Sequence, residues 1–138
     1  MSSNAIAKIE GLAGCDSLVI LSLARNNLKK IEGLNEISDS LEQLWLSYNQ
    51  IGSFAGIEKL TNLQVLYASN NKIDKWPEVE RLQGLPKLRE LNLVNNPLYQ
   101  KHDAEGNWRI EVIKRLEKLK NLDGSLIDDE ERERAKAD

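Results

Sequence analysis

The sequence predicts a solenoid of the α/β class, and three observations lead to it. One spacing of leucines recurs four times, an asparagine closes every copy, and an amphipathic segment follows the last copy. The spacing Leu18-x-x-Leu21-x-Leu23-x-x-Asn26 returns as Leu41, Leu44, Leu46, Asn49, then as Leu63, Leu66, Ala68, Asn71, and finally as Leu88, Leu91, Leu93, Asn96. Eleven of the twelve apolar anchors are leucine and the twelfth is Ala68, a phase that chance does not keep. The copies start 23, 22 and 25 residues apart, the period of leucine-rich repeats.

The first element is incomplete. Asn4, Ile6, Ile9, Gly11 and Leu12 match Asn26, Leu28, Ile31, Gly33 and Leu34, so residues 1–17 form a partial repeat without the strand that should precede Asn4. No amphipathic cap comes before it, which leaves the Leu21 and Leu23 edge open. The expectation is a missing N-terminal cap, as in a fragment, or an edge covered by a partner. Full repeats follow at 18–40, 41–62, 63–87 and 88–107. Each Leu-x-Leu piece is a short strand whose leucines face one way while its neighbours alternate outward. One repeat cannot bury its leucines alone, so the repeats stack into a right-handed βα superhelix with a short parallel sheet on its concave face.

The return path repeats as well. Leu28, Ile51, Ile73 and Leu98 come two residues after each Asn; Ile31, Phe54 and Trp76 follow, then Leu34, Ile57 and Val79. Repeats this short leave room for turns and 3₁₀ pieces, with a fuller helical turn or two around Pro77–Leu85 in the longest copy. A side-chain amide both donates and accepts. The column Asn4, Asn26, Asn49, Asn71, Asn96 is therefore expected to form a buried structural ladder where the chain leaves each strand. A polar loop after Tyr99 leads to the C-terminal helical cap at 108–138, where Trp108, Val112, Leu116 and Leu119 fall at helical spacing. Leu119-x-x-Leu122-Asp123-Gly124 reads as the opening of a fifth strand that breaks off. Asp128 and Glu131 have capping-box spacing for a last, polar helix. All of this fits one domain, 1–138.

Composition narrows function mainly by exclusion. A formal charge of −3 and a pI near 5.3 give no general attraction to nucleic acid or anionic lipid. No apolar run reaches membrane-spanning length, and Met1-Ser2-Ser3-Asn4 does not open a secretory signal. Cys15 is the single cysteine, which rules out an internal disulfide and suits a reducing compartment. It falls in the aliphatic column of Ile37, Leu60 and Leu82. His102 is the single histidine and has no cluster for a metal. No phosphate loop, catalytic triad or Cys/His pair is present. The reading is a protein that is not an enzyme, needs no cofactor, and is a monomer before it joins a partner.

The outward strand positions supply the candidate surface: Ile20, Ser22, Ala24; Gln43, Trp45, Ser47; Val65, Tyr67, Ser69; and Glu90, Asn92, Val94. Strands lie about 4.8 Å apart, which makes Trp45 and Tyr67 neighbours, with Tyr48 near the edge. Exposed Ile20, Trp45, Val65 and Tyr67 are expected to form an apolar-aromatic patch that binds another protein. Trp76 and Trp108 are read as core residues. The basic residues Arg109, Lys114, Arg115, Lys118 and Lys120 of the cap read as a solvated face, with a strip that steers an acidic partner as the alternative.

Repeats ending in Asn-x-Ile-x-x-Ile-x-Gly-Leu, with the Asn96-Pro-Leu…Arg109-Ile-Glu-Val-Ile-Lys-Arg-Leu…Leu122-Asp-Gly segment, resemble the short subfamily typified by the protein phosphatase-1 regulatory subunit. More narrowly, Leu41-Glu-Gln-Leu-Trp-Leu-Ser-Tyr-Asn-Gln-Ile51 and Val65-Leu-Tyr…Ser69-Asn-Asn-Lys-Ile73 are similar to the leucine-rich light chains of axonemal outer-arm dynein. The resemblance covers essentially the whole chain but not the N-terminal helix and first strand of such light chains. It implies a dynein heavy chain as partner, contacted near its microtubule-binding end, with tubulin as a second candidate. It also implies a place in the cytoplasm and cytoskeleton, at the axoneme of a cilium or flagellum. By the same resemblance Asp128 and Arg132 would project toward the motor. Ala68 and Ser125, the latter where the light chains carry methionine, depart from the pattern. The alternative is another adaptor of the same repeat class, a phosphatase-1 regulator or a ribonucleoprotein scaffold.

Overall fold

A computed structural model describes residues 18–32, 34 and 37–137. The expected partial repeat at 1–17, with Asn4 and Cys15, lies outside the described residues, and so does any covering of the open N-terminal edge. Each full repeat contributes one short strand: β1 (Ile20–Ser22), β2 (Gln43–Trp45), β3 (Val65–Tyr67) and β4 (Glu90–Asn92). They pair in parallel and in sequence order, and Leu21, Leu44, Leu66 and Leu91 stand opposite one another in register. All four are buried in one core that runs the length of the stack. The parallel run is continued by β5 (Asn121–Leu122), which pairs with β4. The chain then reverses through Asp123 and Gly124, both with left-handed φ (55° and 86°), into an antiparallel strand β6 (Ser125–Leu126). Asp-Gly with this geometry is the turn that matches strand twist. The fifth strand is therefore followed by a reversal rather than simply breaking off.

The ladder asparagines explain how the chain leaves each strand. Asn49 donates through Nδ2 to the carbonyls of Leu23 (3.0 Å) and Leu46 (2.9 Å), and its Oδ1 accepts from the amide of Leu28 (3.0 Å). Asn71 does the same with Leu46, Ala68 and Ile51, and Asn96 with Ala68, Leu93 and Ile73. Each amide thus ties its own repeat to the one before. Asn26, Asn49, Asn71 and Asn96 are the buried polar residues among those described.

The residue before each ladder Asn is left-handed: Arg25 (φ 61°), Tyr48 (61°), Asn70 (56°) and Asn95 (63°). In the first three its amide extends the sheet, Arg25 to Ser47, Tyr48 to Ser69 and Asn70 to Val94, before the chain swings away. Asparagine tolerates this region; arginine and tyrosine do so at a cost of about 1 kcal/mol or more each. Gly56 (φ 97°) needs its missing side chain for another reason, since a Cβ there would lie 2.7 Å from the carbonyl oxygen of Ile31 in the preceding repeat.

Return segments are short, with a 3₁₀ turn at Ile57–Lys59, the helix α1 (Trp76–Glu80) and a 3₁₀ turn at Arg81–Gly84. The segment expected to be a polar loop is instead a helix, α2 (Pro97–Ala104). Pro97 starts it with a pre-set φ, and Leu98 and Tyr99 pack against the core. The cap helix α3 (Trp108–Arg115) buries Trp108, Ile110, Val112 and Ile113. Leu116 and Leu119 are buried in the turn beyond it, so the apolar face outlasts the helix. α4 (Asp129–Ala137) is tied to α3 by Arg109, whose Nε meets Glu131 at 2.6 Å. The rest of that guanidinium takes the carbonyls of Leu122, Ser125 and Leu126.

Asn71→Ala leaves the Ile51 amide without its side-chain acceptor in the interior, while the Leu46 and Ala68 carbonyls keep one donor each, from Asn49 and Asn96. Such a loss costs roughly 1–3 kcal/mol. Urea denaturation should show an unfolding free energy lowered by an amount in that range, read as a lower midpoint with the unfolding slope unchanged. A midpoint equal to wild type would mean that the ladder contributes nothing to stability.

Candidate partner-binding face

Among the described residues, the sheet's outer surface carries side chains left open to solvent. Trp45 is 36% exposed and Ile20 47% exposed, with Val19 also open to solvent. Trp45 and Tyr67 face each other across the β2–β3 pair with ring centroids 5.8 Å apart, tilted by 38°. The strands dictate this, because equal offsets in successive parallel repeats place both rings in one row. The Trp45 indole donates to Gln43 Oε1 at 3.2 Å, and the Tyr67 hydroxyl donates to Glu90 Oε2 at 3.2 Å. Burial first, then the charge of Glu90, raises the Tyr67 phenol above its ordinary value of 10.0, which keeps it a donor. Ser47 and Ser69 are joined hydroxyl to hydroxyl at 2.9 Å, flanking the aromatic row with small polar groups. Toward β5 the surface becomes polar. A cup of about 380 Å³ is lined by Ser47, Tyr67, Glu90, Asn92, Asn121 and Gly124, and Glu90 pairs there with Arg89 at 3.5 Å.

One member of the expected patch is not available. Val65 points to the outer side but is only 3% exposed and is not part of the core on the other side. It sits in register between Gln43 and Glu90, whose side chains are longer. Strand alternation reports the direction of a side chain, not whether its row leaves it open. Tyr48 is 47% exposed at the rim, beneath the Arg25 guanidinium, whose carbon lies 4.3 Å from the ring centroid.

Asp128 and Arg132, expected to project, are engaged within the chain. Asp128 and Glu131 form a reciprocal cap at the start of α4, with each side chain accepting from the other's amide. Arg132 turns back to donate to the carbonyls of Glu117 (2.9 Å) and Leu119 (2.6 Å), closing the turn after α3. The basic strip on α3 is largely neutralised: Lys114 meets Glu111, Arg115 meets Glu80 and Glu111, and Arg109 meets Glu131. Trp76 is half-buried rather than a core residue. It stacks on Trp108 at 5.7 Å, donates to His102 Nε2 at 3.2 Å, and carries the Arg115 guanidinium over its ring at 3.9 Å. That cluster fastens the cap to the last repeat.

Asp123 escaped the sequence reading. Its Oδ1 accepts from the Leu93 amide (2.8 Å) and its Oδ2 from the Trp108 indole (2.7 Å). Burial, opposed by these two hydrogen bonds, raises its carboxyl above the ordinary 3.8. The Asp123-Gly124 pair was the available signal, as the strongest short hairpin pattern known. Arg25 was missed too. Asn70 and Asn95 at its column position mark a left-handed site that arginine and tyrosine fit poorly.

Among the described residues no group of three or more His, Cys, Asp or Glu could hold a metal ion, and no helix is long and apolar enough to cross a membrane. The family described as "Leucine Rich repeats (2 copies)" matches residues 39–81 and 61–101. Fold and surface together define a leucine-rich-repeat protein with an open aromatic sheet face. Among solved structures, the SNF/U2A′ complex of Drosophila melanogaster has a chain that aligns with a TM-score of 0.85 and 26% identity, over 99% of this chain and 78% of that one. An internalin from Listeria monocytogenes aligns with a TM-score of 0.71 and 22% identity over 92% of this chain and 34% of its own, sharing the fold. Dynein axonemal light chain 1 of Chlamydomonas reinhardtii is 54% identical over 98% of this chain and 70% of its own length. The Ciona intestinalis and Rattus norvegicus proteins of that name are 51% and 49% identical, each over 96% of this chain and 71% of their own. The chain belongs to the axonemal dynein light chain 1 family.

The Arg109–Glu131 pair makes the cap pH-sensitive. The hydrogen bond from Arg109 holds the Glu131 carboxyl below its ordinary 4.5. Its contribution to stability is therefore fully present above that value and is lost as pH falls through the lowered folded one. Thermal melts should show Glu131→Gln less stable than wild type near neutrality, with the gap closing below pH 4.5. A gap that stays constant through that range would exclude the pair as its cause.

Proposed function

We propose that this protein is a non-catalytic light chain of axonemal outer-arm dynein. It docks on the motor heavy chain near its microtubule-binding region and modulates the motor in cilia and flagella. The contact is made by the concave face, with Trp45 and Tyr67 as anchors and Ile20, Gln43, Tyr48, Glu90 and Asn92 around them. The observation that carries this reading is the tilted Trp45–Tyr67 pair, Trp45 exposed and Tyr67 half-buried beside it, on a sheet whose backbone is fixed by the asparagine ladder. Aromatic anchors on a rigid surface give contact area with little ordering cost, as interface hot spots do. Identity of 54% to an axonemal dynein light chain supports the choice of partner. The chain is a monomer until it joins that complex, and tubulin is a second surface within reach of it.

The SNF/U2A′ likeness favours a second reading, an adaptor in a different kind of complex, at 26% identity against 54%. Co-purification from ciliated cells separates the two readings by recovering either dynein or another assembly.

Trp45→Ala should weaken binding to the heavy chain tenfold or more, about 1.4 kcal/mol or above, with an unchanged circular dichroism spectrum. Wild-type affinity in a folded Trp45→Ala protein would remove the concave face from the interface.

A further inference from the structure

We propose that Arg25 and Tyr48 form a receptor for a carboxylate, so that the docked segment of the partner presents an aspartate or glutamate beside the apolar side chain that covers Trp45. This rests on the docking reading above and specifies the chemistry of its occupant.

The first support is conformational. Arg25 and Tyr48 occupy the left-handed position that the next two repeats fill with Asn70 and Asn95. The backbone demands are the same in all four, yet the first two repeats carry large side chains where a small amide is better suited. The two misfits stack on each other, with the guanidinium 4.3 Å from the ring centroid. Both side chains are exposed, so the stack contributes nothing to the core. Strained residues held on a surface indicate a use for the side chains rather than for the fold.

The second support is electrostatic. Among the described residues no carboxylate pairs with Arg25. Five of the other arginines are engaged within the chain: Arg81 meets Glu58 and Glu78, Arg89 meets Glu90, Arg109 and Arg115 meet acids across the cap, and Arg132 holds the carbonyls of Glu117 and Leu119. Tyr48 covers one face of the Arg25 guanidinium, while its N–H donors lie in the plane and stay open. That arrangement suits the paired oxygens of a carboxylate. The surface beside it, at Ile20 and Trp45, is apolar and uncharged. The anionic Glu90 stands on β4, three strands across and five residues back in register, about 20 Å away, and already has Arg89. The face therefore runs from a cationic, aromatic end to a polar, acidic one, which fixes the orientation of a segment with an acid at one end.

The test uses the full chain and axonemal dynein heavy chain stripped of its light chain. Arg25→Gln should weaken binding roughly five- to tenfold at low salt, and the difference should shrink as ionic strength screens the pair. Arg25→Glu should weaken it further. Tyr48→Asn installs the residue of the later repeats, so its Tm should equal or exceed that of wild type while affinity falls. Wild-type affinity in both Arg25 variants, with Trp45→Ala still impaired, would overturn the carboxylate receptor and leave the docking face standing. A lowered Tm with undiminished affinity in Tyr48→Asn would make the stack a structural brace. Were Trp45→Ala without effect while the Arg25 variants lose binding, the receptor would stand and the aromatic anchor would fall.

Discussion

Where a strand ends and the chain swings out of the sheet, main-chain amides and carbonyls lose their partners inside an apolar stack. A buried unpaired group of this kind is among the costlier defects a fold can carry. The asparagine ladder removes it. One side chain satisfies a carbonyl of its own repeat, a carbonyl of the preceding repeat and an amide of that repeat's return path, as Asn71 does for Ala68, Leu46 and Ile51. Leucines supply the driving force for stacking, but they are non-directional. The ladder makes each repeat land at the same height and angle as the last, and every other position inherits its place from that registration.

The aromatic face is one consequence. Trp45 and Tyr67 meet at 5.8 Å because their repeats are in phase, not because of any special attraction. With the backbone held from behind, the outer side of the sheet can carry poorly solvated groups without collapsing around them. The left-handed column is another consequence. It is imposed by the exit geometry of every strand, and so it creates a position where side-chain identity is free to serve something other than folding.

Much of this was legible in the sequence, and the reason is repetition. Four copies of one spacing fix strand number, inward leucines and ladder asparagines together, because an error in one would have to recur in all. Trp45 and Tyr67 could be located by the same rule. What could not be read depended on contacts that occur once. Val65 is buried in a row between Gln43 and Glu90, a matter of its neighbours rather than of period. The residues after Tyr99 looked polar enough for a loop, yet Pro97 and the packing of Leu98 and Tyr99 make them helical. Arg132 looked like a surface charge and is a bracket for the Glu117–Leu119 carbonyls. Apart from Val65, these features lie from the end of the last repeat onward, where the period no longer constrains the answer.

Asp123 carries a last implication for how the molecule behaves among its own kind. In the repeats before it, the third anchor's amide finds a main-chain carbonyl on the next strand: Leu23 finds Trp45, Leu46 finds Tyr67, and Ala68 finds Asn92. Leu93 finds a carboxylate instead, and beyond it the Arg109 fork occupies the oxygens of Leu122, Ser125 and Leu126. A sheet made of identical rungs invites indefinite lengthening by any passing strand. Here the final rung offers an incoming backbone few free acceptors, so the stack has a chemically defined terminus and is guarded at that end against fibre-like growth.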